Sequence, residues 1–234
     1  MIVTESNEGT SLFILVGGKG ERLSSVTKGL PKPLVDIDGR PFIDYVIKNL
    51  KGFKIYLIAS DLTYEHFKRY GYTDSKKSGV RNLLNEGECC GTGGFMCKLG
   101  PDFLEDSFYV MNGDSYFTGD LNVDVDKSTV FVAEEDVTDD VGYVKGQNGK
   151  VESFVEKDPN VSGKQLVNLG LYKFYKKDIL TPMRLPISME YDILPRIPEL
   201  EYKVLNTVRF DIGTPERLET VSYTHLTLPT TPYV

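Results

Sequence analysis

Short apolar runs alternate with helix-like stretches through the first half of the chain, and this pattern constrains the fold most strongly. The apolar runs are typical of buried strands and occupy residues 12–16, 53–59, 80–85 and 107–111. Helix-like stretches lie between them, at residues 41–50, 61–70 and 94–99. Strands joined through helices form right-handed crossovers and build a mainly parallel sheet with helices on both faces. The first half therefore predicts an α/β fold with three layers.

The second half has a different pattern, with strands and few helices. Strand-like runs occupy residues 130–134, 142–145, 151–155 and 167–175. Asn148 and Gly149 lie between two of these runs, and this dipeptide favours the tight type I′ turn of a β-hairpin. We predict an antiparallel-rich half that packs with the parallel half as one mixed domain over residues 1–220.

Composition and charge argue against several classes of protein. The 27 Lys and Arg residues against 34 Asp and Glu residues give a net charge of −7, which disfavours a nucleic-acid or anionic-membrane partner. The first apolar run is far shorter than the ~20 residues of a membrane span, and the polar N-terminus is unlike a signal peptide. Three cysteines without a CxxC pair and two histidines do not fit a zinc site. We expect reduced thiols, no membrane contact and a cytoplasmic location.

A glycine-rich segment follows the first strand. Gly17, Gly18 and Gly20 let backbone N–H groups approach an anion closely, while Lys19 and Arg22 add positive charge. The spacing matches neither the GxGxxG of dinucleotide-binding folds nor the GxxxxGKS/T phosphate loop, which argues against a dinucleotide-dependent oxidoreductase. On its own, the segment fits either an anion-binding loop or a plain turn.

Two further residues suit a bound phosphate or metal ion. Lys32 lies between two prolines, which fix the backbone and so direct the ammonium group; a solvated turn lysine is the alternative. Asp114 follows the strand at residues 107–111, at the carboxyl edge of the sheet where open α/β folds bind ligands. A plain turn aspartate is the alternative at that position.

Taken in order, these motifs resemble the sugar-phosphate nucleotidyltransferases, the NDP-sugar pyrophosphorylases. The matching segments run from residue 12 to about residue 220 and read GGKGERL, PKPLVDIDGRPFIDYVI, Glu86 with GTGG, VMNGD, FVEK, NLGLY and FDIGTP. The resemblance implies a three-layer, Rossmann-like nucleotidyltransferase fold, with a mixed, mainly parallel sheet and an antiparallel-rich sugar-binding half. It also implies an enzyme that joins a sugar 1-phosphate to the α-phosphorus of an NTP and releases pyrophosphate.

The resemblance also implies a role for each matching residue. The implied nucleotide-binding residues are Gly17, Gly18, Gly20, Glu86, Gly91 and Thr92. The implied catalytic residues are Arg22, Lys32, Asp114 and Lys157. Asp114 and Asp211 are implied to hold Mg²⁺, an ion that carboxylate oxygens suit. Positioning, cations and a metal ion, rather than a protein nucleophile, should carry a reaction between several negative charges.

Glu156 and Asn168 are implied to bind the sugar. By resemblance, Glu156 holds sugar hydroxyl groups, Lys157 meets the sugar phosphate, and Asn168 adds a hydrogen bond. Asp158 and Pro159 follow Lys157 here, where the family usually has a proline directly. A surface charge pair and a strand-edge amide are the alternatives for these positions.

The choice of base should depend on the segment from Glu86 to Thr92. A carboxylate can accept two hydrogen bonds from the N1–H and 2-amino groups of guanine, which uracil and thymine do not offer; a solvated loop glutamate is the alternative. Cys89 and Cys90 replace the family's usual proline and leucine, which leaves the base preference open.

The sharper resemblance is to guanylyltransferases that act on D-glycero-α-D-manno-heptose 1-phosphate or mannose 1-phosphate. The segments GGKGERLSSVTKGLPKPL, VMNGDSYF and SMEYDILP carry it. We expect GTP and such a sugar 1-phosphate as substrates, with a uridylyl- or thymidylyltransferase acting on a hexose 1-phosphate as the alternative. Loss of Arg22, Lys32, Asp114 or Asp211 would favour a non-catalytic sensor, and all four are present. A homo-oligomer is compatible with the sequence.

The last residues break from the composition of the rest. Residues 221–230 hold no charged side chain in a chain that is 26% charged, and they interrupt a helix that Thr214 should cap and Pro215 should begin. Reverse translation of this segment gives GTC TCT TAT ACA CAT CTG ACG CTG CCG ACG, which resembles a transposon-derived adapter of short-read library preparation. We predict that residues 221–234, with His225, are a non-native tail without a functional role. A natural Thr/Pro-rich tail is the alternative.

Overall fold

The computed structural model describes residues 2–3, 9–18, 20, 27–73, 79–119, 121–136, 141–156, 160–179 and 184–224, with the backbone alone at 221–224. The strands are β1 Ile2–Val3, β2 Thr10–Leu15, β3 Asp36–Ile37, β4 Arg40–Pro41, β5 Leu50–Lys51, β6 Phe53–Ala59, β7 Asn82–Asn85, β8 Ser107–Asn112, β9 Ser115–Phe117, β10 Leu121–Asn122, β11 Thr129–Asp136, β12 Tyr143–Gln147, β13 Lys150–Val155, β14 Lys164–Tyr175, β15 Glu201–Val204 and β16 Arg209–Asp211. The helices are α1 Phe42–Lys48, α2 Tyr64–Arg69, α3 Gly94–Leu99, α4 Lys176–Ile179 and α5 Pro215–Thr224. Single 3₁₀ turns lie at Lys32–Leu34 and Leu194–Arg196, and a π-helical turn lies at Met189–Ile193.

Nine strands form the main sheet, in the order β11-β15-β13-β12-β14-β8-β2-β6-β7. In its first part, β8, β2, β6 and β7 are parallel neighbours. β14 pairs antiparallel with β8, β11 and β12, and so joins the two parts of the sheet. The predicted mixed sheet, with a parallel half and an antiparallel-rich half, is confirmed.

Two apolar clusters, one on each face of this sheet, form the core. Successive side chains of a strand point to opposite faces, and along β2 Leu12 and Ile14 join one cluster while Phe13 joins the other. The first cluster includes Phe42 of α1 and Phe67 of α2. The second includes residues of α3 and of the π-helical turn. Helices therefore cover both faces, and the predicted three layers are confirmed.

Two local predictions had different outcomes. The predicted helix start at Asp61 is wrong, because its carboxylate accepts a hydrogen bond from Asn85 Nδ2 (2.9 Å) on β7, and α2 begins only at Tyr64. The predicted hairpin turn is confirmed. Asn148 and Gly149 have φ angles of 52° and 79°, and they connect the antiparallel strands β12 and β13.

The C-terminal helix α5 begins at Pro215 as predicted, and Thr214 Oγ1 accepts a hydrogen bond from Arg217 N (3.4 Å). The helix continues through residues 221–224, so the interruption expected at residue 221 is not seen. Residues 225–234 lie outside the described residues, and the non-native origin of residues 221–234 stays a prediction. Cys89, Cys90 and Cys97 are unpaired. Within the described ranges, no helix has the length and hydropathy needed to cross a membrane.

Candidate active site

Two adjoining cavities open where the parallel strands β2, β6 and β8 end. The first cavity has a volume of about 300 Å³, and its lining includes Gly17, Gly18, Gly20, Lys32, Glu86, Gly91, Thr92, Asn112 and Asp114. The second cavity has a volume of about 170 Å³, and its lining includes Asn112, Asp114, Glu156, Asn168, Glu190, Arg209, Asp211 and Arg217. Asn112 and Asp114 line both cavities, so a ligand in one meets a ligand in the other beside these two side chains.

The glycine-rich segment brings backbone close to the floor of the first cavity. A Cβ atom on Gly17 would lie 2.9 Å from Glu86 Oε1 and 3.0 Å from Ser60 N, so any side chain there would force a shift. Ser60 Oγ donates a hydrogen bond to the Gly17 carbonyl (2.8 Å) and fixes the turn. Arg22 lies outside the described residues.

Lys32 places a cation in the first cavity, near Asp114, which lines both cavities. Its side chain is 13% exposed, and its Nζ lies 4.0 Å from Asp114 Oδ2. The 3₁₀ turn that carries Lys32 begins after Pro31, which restricts the backbone as the sequence predicted. An ammonium group in this position can contact phosphate oxygens in the first cavity, beside Asp114.

Glu86 presents a buried carboxylate to the first cavity. The residue is 8% exposed, and its Oε2 accepts a hydrogen bond from the Cys90 thiol (3.0 Å). No Lys or Arg of the described residues forms an ion pair with it. Burial raises the pKa of Glu86. Burial and the Glu86 carboxylate also raise the pKa of the Cys90 thiol to about 12, so this thiol remains a donor.

The loop of Gly91 and Thr92 is held by the segment before the π-helical turn. Ile187 N donates to Cys90 O (2.8 Å), and Met189 N donates to Thr92 Oγ1 (2.7 Å). A Cβ atom on Gly91 would collide with the Ile187 carbonyl oxygen, and Gly91 also has a φ of 84°. Only glycine fits this close backbone approach.

Asp114 and Asp211 lie side by side in the second cavity, because β9 pairs with β16 and Ile212 N donates to Asp114 O (3.1 Å). Asp211 accepts hydrogen bonds from Gly213 N (2.8 Å) and Arg217 Nη1 (3.2 and 3.3 Å). Arg209 Nη2 lies 3.7 Å from the same carboxylate. The sequence reasoning assigned no role to either arginine.

The donor set of this pair fits Mg²⁺. Within the described ranges, no group of three or more His, Cys, Asp and Glu residues could hold a metal ion. Asp114 and Asp211 nevertheless supply two carboxylates to one small polar cavity. Mg²⁺ typically takes one or two protein carboxylates and completes its shell with water and phosphate oxygens. Asp114 would hold it, and Asp211 would join Asp114 where the ion takes the place of the Arg217 hydrogen bonds.

The sugar-binding residues predicted from the sequence line the second cavity in part. Glu156 follows the end of β13, and Asn168 lies on β14. Asn168 Oδ1 accepts from Gly170 N (2.9 Å), and its Nδ2 donates to Tyr172 OH (2.8 Å). Lys157 lies outside the described residues.

The sequence reasoning missed several residues of the second cavity. They are Asn112, Glu190, Arg209 and Arg217. Asn112 and Glu190 lie inside matching segments, VMNGDSYF and SMEYDILP, so their positions carried a signal. Arg209 and Arg217 lie just outside FDIGTP, and nothing in their spacing indicated that both side chains turn toward Asp211.

A family model described as nucleotidyl transferase matches residues 12–226. The chain belongs to this family. The sequence prediction of a nucleotidyltransferase is therefore confirmed, as is the predicted fold.

Individual members of the nucleotidyl transferase family are similar over most of the chain. The D-glycero-α-D-manno-heptose 1-phosphate guanylyltransferase of Campylobacter jejuni is 30% identical over 212 residues, covering 87% of this chain and 95% of that protein. The bifunctional protein GlmU of Methanocaldococcus jannaschii is 31% identical over 217 residues. That match covers 87% of this chain and 51% of GlmU, so the chain spans about half the length of this relative.

A solved structure of the same family has the same fold. The crystal structure of HddC from Yersinia pseudotuberculosis is 28% identical, with a TM-score of 0.74 over 91% of this chain and 98% of HddC. A second crystal structure of HddC is complexed with GMP-PN, with 27% identity and a TM-score of 0.73.

Proposed function

We propose that this protein transfers a guanylyl group from GTP to D-glycero-α-D-manno-heptose 1-phosphate or mannose 1-phosphate and releases pyrophosphate. The observation that carries the proposal is the Glu86 carboxylate, which is buried in the first cavity and has only the Cys90 thiol as a side-chain partner among the described residues. A carboxylate that is buried in the protein but faces the cavity can accept hydrogen bonds from a ligand there. Guanine offers two adjacent donors, N1–H and the 2-amino group.

The first cavity would hold the nucleotide. The backbone of Gly17, Gly18 and Gly20 would face the triphosphate, and Lys32 would contact its oxygens. Arg22 and Lys157 are proposed as further phosphate-binding cations, on the resemblance alone. The second cavity would hold the sugar 1-phosphate, with Glu156 and Asn168 beside its hydroxyl groups.

The reaction would occur between the two cavities. An oxygen of the sugar phosphate attacks the α-phosphorus of the NTP, a new P–O bond forms, and the bond to the β-phosphate breaks to release pyrophosphate. The Lys32 ammonium, 4.0 Å from Asp114, holds the anionic groups together at this junction. Mg²⁺ held by Asp114 and Asp211 would neutralise charge that develops on the phosphate oxygens.

The names of similar proteins support this choice of substrates. The relative from Campylobacter jejuni is named a heptose 1-phosphate guanylyltransferase, and HddC was crystallised with GMP-PN. A chain with this net negative charge and this family also suits the cytoplasm, where NTPs and sugar phosphates are available. We include that location in the proposal.

Pyrophosphate release tests the proposal directly. The protein would be assayed with GTP, ATP, UTP and dTTP against a panel of sugar 1-phosphates, with and without EDTA. We expect the highest kcat/KM with GTP and one of the two proposed sugars, and no turnover in EDTA. Higher kcat/KM with UTP or dTTP and a hexose 1-phosphate would replace this proposal with the uridylyl- or thymidylyltransferase alternative.

A further inference from the structure

A chain of hydrogen bonds connects the two cavities behind Asp114. Glu190 Oε2 accepts from Ser188 Oγ (3.0 Å) and from Thr92 Oγ1 (3.4 Å). Glu190 Oε1 accepts from Tyr172 OH (3.1 Å), which itself accepts from Asn168 Nδ2 (2.8 Å). We call these five side chains the Glu190 bridge. Thr92 lines the first cavity and Asn168 lines the second, so the bridge spans both.

Every hydrogen bond in the Glu190 bridge points toward the carboxylate. Thr92 Oγ1 already accepts from Met189 N (2.7 Å), so its hydroxyl hydrogen is left for Glu190. Burial and the Glu190 charge raise the pKa of Tyr172 well above its ordinary value, so its phenol stays protonated and donates. From Asn168 through Tyr172 to Glu190 each group donates to the next, and hydrogen bonds in such a chain reinforce each other.

The bridge fixes the orientation of the Asn168 amide. Its oxygen accepts from Gly170 N (2.9 Å), which sets the nitrogen toward Tyr172. One N–H of the amide donates to Tyr172, and the second N–H remains to donate to a ligand in the second cavity. Displacement of Tyr172 or Glu190 would therefore remove one of the two hydrogen bonds that hold the amide, and its remaining N–H would be less well positioned for the ligand.

We propose that Glu190 is a positioning residue that couples the two substrate sites. Ligand contacts that order the Thr92 loop hold Glu190, Glu190 holds the Tyr172 hydroxyl, and that hydroxyl holds the Asn168 amide in place for the sugar. Filling the first cavity therefore raises the affinity of the second for its ligand, and the reverse holds equally because such coupling is reciprocal. The inference rests on the proposed placement of the nucleotide at Thr92 and the sugar at Asn168.

Glu190 itself is not assigned as a ligand of the sugar. Its two oxygens already accept from Tyr172, Ser188 and Thr92, three donors from three separate segments. Replacement by Gln keeps the shape but puts an amide donor where every partner also donates. One end of the bridge then loses its hydrogen bond.

Calorimetry on three variants tests this coupling. The dissociation constant of the sugar 1-phosphate is measured with and without a saturating non-hydrolysable NTP analogue. The test uses the pair of substrates that the wild type turns over fastest. The variants are Tyr172→Phe, Glu190→Gln and, as matched control, Tyr109→Phe. Tyr109 is also fully buried, and its hydroxyl donates to Val123 O (3.0 Å), outside both cavities.

We expect the analogue to tighten sugar-phosphate binding at least ~5-fold in the wild type and in Tyr109→Phe, the lower end of common coupling factors. In Tyr172→Phe and Glu190→Gln that ratio should fall below ~2-fold, and KM for the sugar 1-phosphate should rise more than kcat falls. Thermal denaturation verifies that each variant is folded, and either bridge variant suffices if the other fails to fold. A wild-type ratio near one, or an unchanged ratio in a folded bridge variant, would overturn the proposal. A preference for UTP would contradict the proposed base but leave these ratios measurable.

Discussion

The two cavities of the active site are built in different ways. Much of the first cavity is backbone: the glycine-rich segment and the ends of parallel strands form its wall, and Lys32 and Glu86 add charge. The second cavity is built largely from polar and charged side chains. Asn168 and Asp211 lie on two strands and Glu156 follows the end of a third. Asn168 and Asp211 form hydrogen bonds with Tyr172 and Arg217.

This difference separates phosphate binding, which is the same for all NTPs, from selection of one base and one sugar. A backbone wall with glycines suits phosphates, which all NTPs share, and we propose that the Glu86 side chain discriminates between bases. In the second cavity no side chain acts alone, since Asn168 depends on Tyr172, and Asp211 accepts from Arg217. Substitutions in the first cavity should change the choice of nucleotide, whereas those in the second should act on the sugar through neighbouring residues.

Asp114 belongs to both cavities, so its substitution should have the largest effect. Asp114→Asn keeps the size of the side chain but removes the charge that would hold Mg²⁺ at the reacting phosphates. We expect kcat to fall at least ~100-fold, the scale for loss of a preorganised charge-stabilising group. The exposed Asp102→Asn serves as control and should leave kcat unchanged. Full activity of Asp114→Asn would remove this residue from the mechanism.

Among the kinetic constants, Glu86→Gln should change those of the NTP and leave those of the sugar 1-phosphate as they are. Gln offers one acceptor and one donor, which matches the N3–H and O4 of uracil better than the two donors of guanine. We expect kcat/KM for GTP to fall ~5- to 100-fold, corresponding to roughly 1–3 kcal/mol for a mismatched buried hydrogen bond, while UTP gains relative to GTP. Glu88→Gln, exposed and two residues away, is the control. An equal loss for all NTPs would contradict base recognition by Glu86.

Glu156→Gln should raise KM for the sugar 1-phosphate and leave KM for the NTP nearly unchanged. Hydrogen bonds from sugar hydroxyls to a charged acceptor contribute about 1.5–3 kcal/mol, so KM for the sugar 1-phosphate should rise roughly 10- to 100-fold. KM for the NTP should stay within about twofold of the wild type. Glu152→Gln, at an exposed position on the strand that precedes Glu156, is the control. A larger change in the NTP KM than in the sugar KM would show that the two cavities are assigned the wrong way round.

Removal of the buried charge at Glu86 should also stabilise the fold. Burial raises the pKa of Glu86 above its ordinary value of 4.5, so the folded protein binds that proton more tightly than the unfolded chain. The stabilisation from this bound proton is complete below pH 4.5, the ordinary pKa of the side chain. It is lost as the pH rises through the higher pKa that Glu86 has in the folded protein. At pH 8, Glu86→Gln should therefore raise Tm, because the substitution removes the buried charge. The gain should vanish near pH 4; an equal gain at both values would contradict this account.

Residues 225–234 at the C-terminus have no part in the proposed reaction or in the proposed coupling of the two cavities. Deletion of residues 225–234 should leave both KM values and kcat unchanged, because we predict that this segment is not native. Loss of turnover in the deletion would contradict that prediction. Sequencing of the locus by a method without transposon adapters checks it independently, and an uninterrupted reading through the codons of residues 221–234 would show a natural tail.

The sequence predicted the first cavity better than the second. Gly17, Gly18 and Gly20 follow a strand that an apolar run marks clearly, and chain continuity alone brings them to the sheet edge. Asp114 follows β8 for the same reason. In a parallel sheet the carboxyl ends of the strands meet at one edge, so residues at these ends converge without further information.

The second cavity depends on pairings that local patterns do not encode. Arg209 and Arg217 approach Asp211 only because β16 pairs with β9 and α5 follows directly. Glu190 meets Thr92 only because the segment from Ile187 packs against the GTGG loop. The wrong prediction of a helix start at Asp61 has the same cause, since Asn85 on β7 donates a hydrogen bond to the Asp61 carboxylate. The periodicity and spacing of residues in the sequence do not specify contacts between distant segments.

A crystal structure of the protein with GDP-mannose and Mg²⁺ tests the central claim most directly. The claim is that the first cavity takes the nucleotide, the second takes the sugar, and the two meet at Asp114. We expect guanine N1–H and 2-amino groups within about 2.7–3.2 Å of the Glu86 carboxylate, mannose hydroxyls at Glu156 and Asn168, and the diphosphate beside Asp114. A guanine ring in the second cavity, or one with no contact to Glu86, would contradict the account.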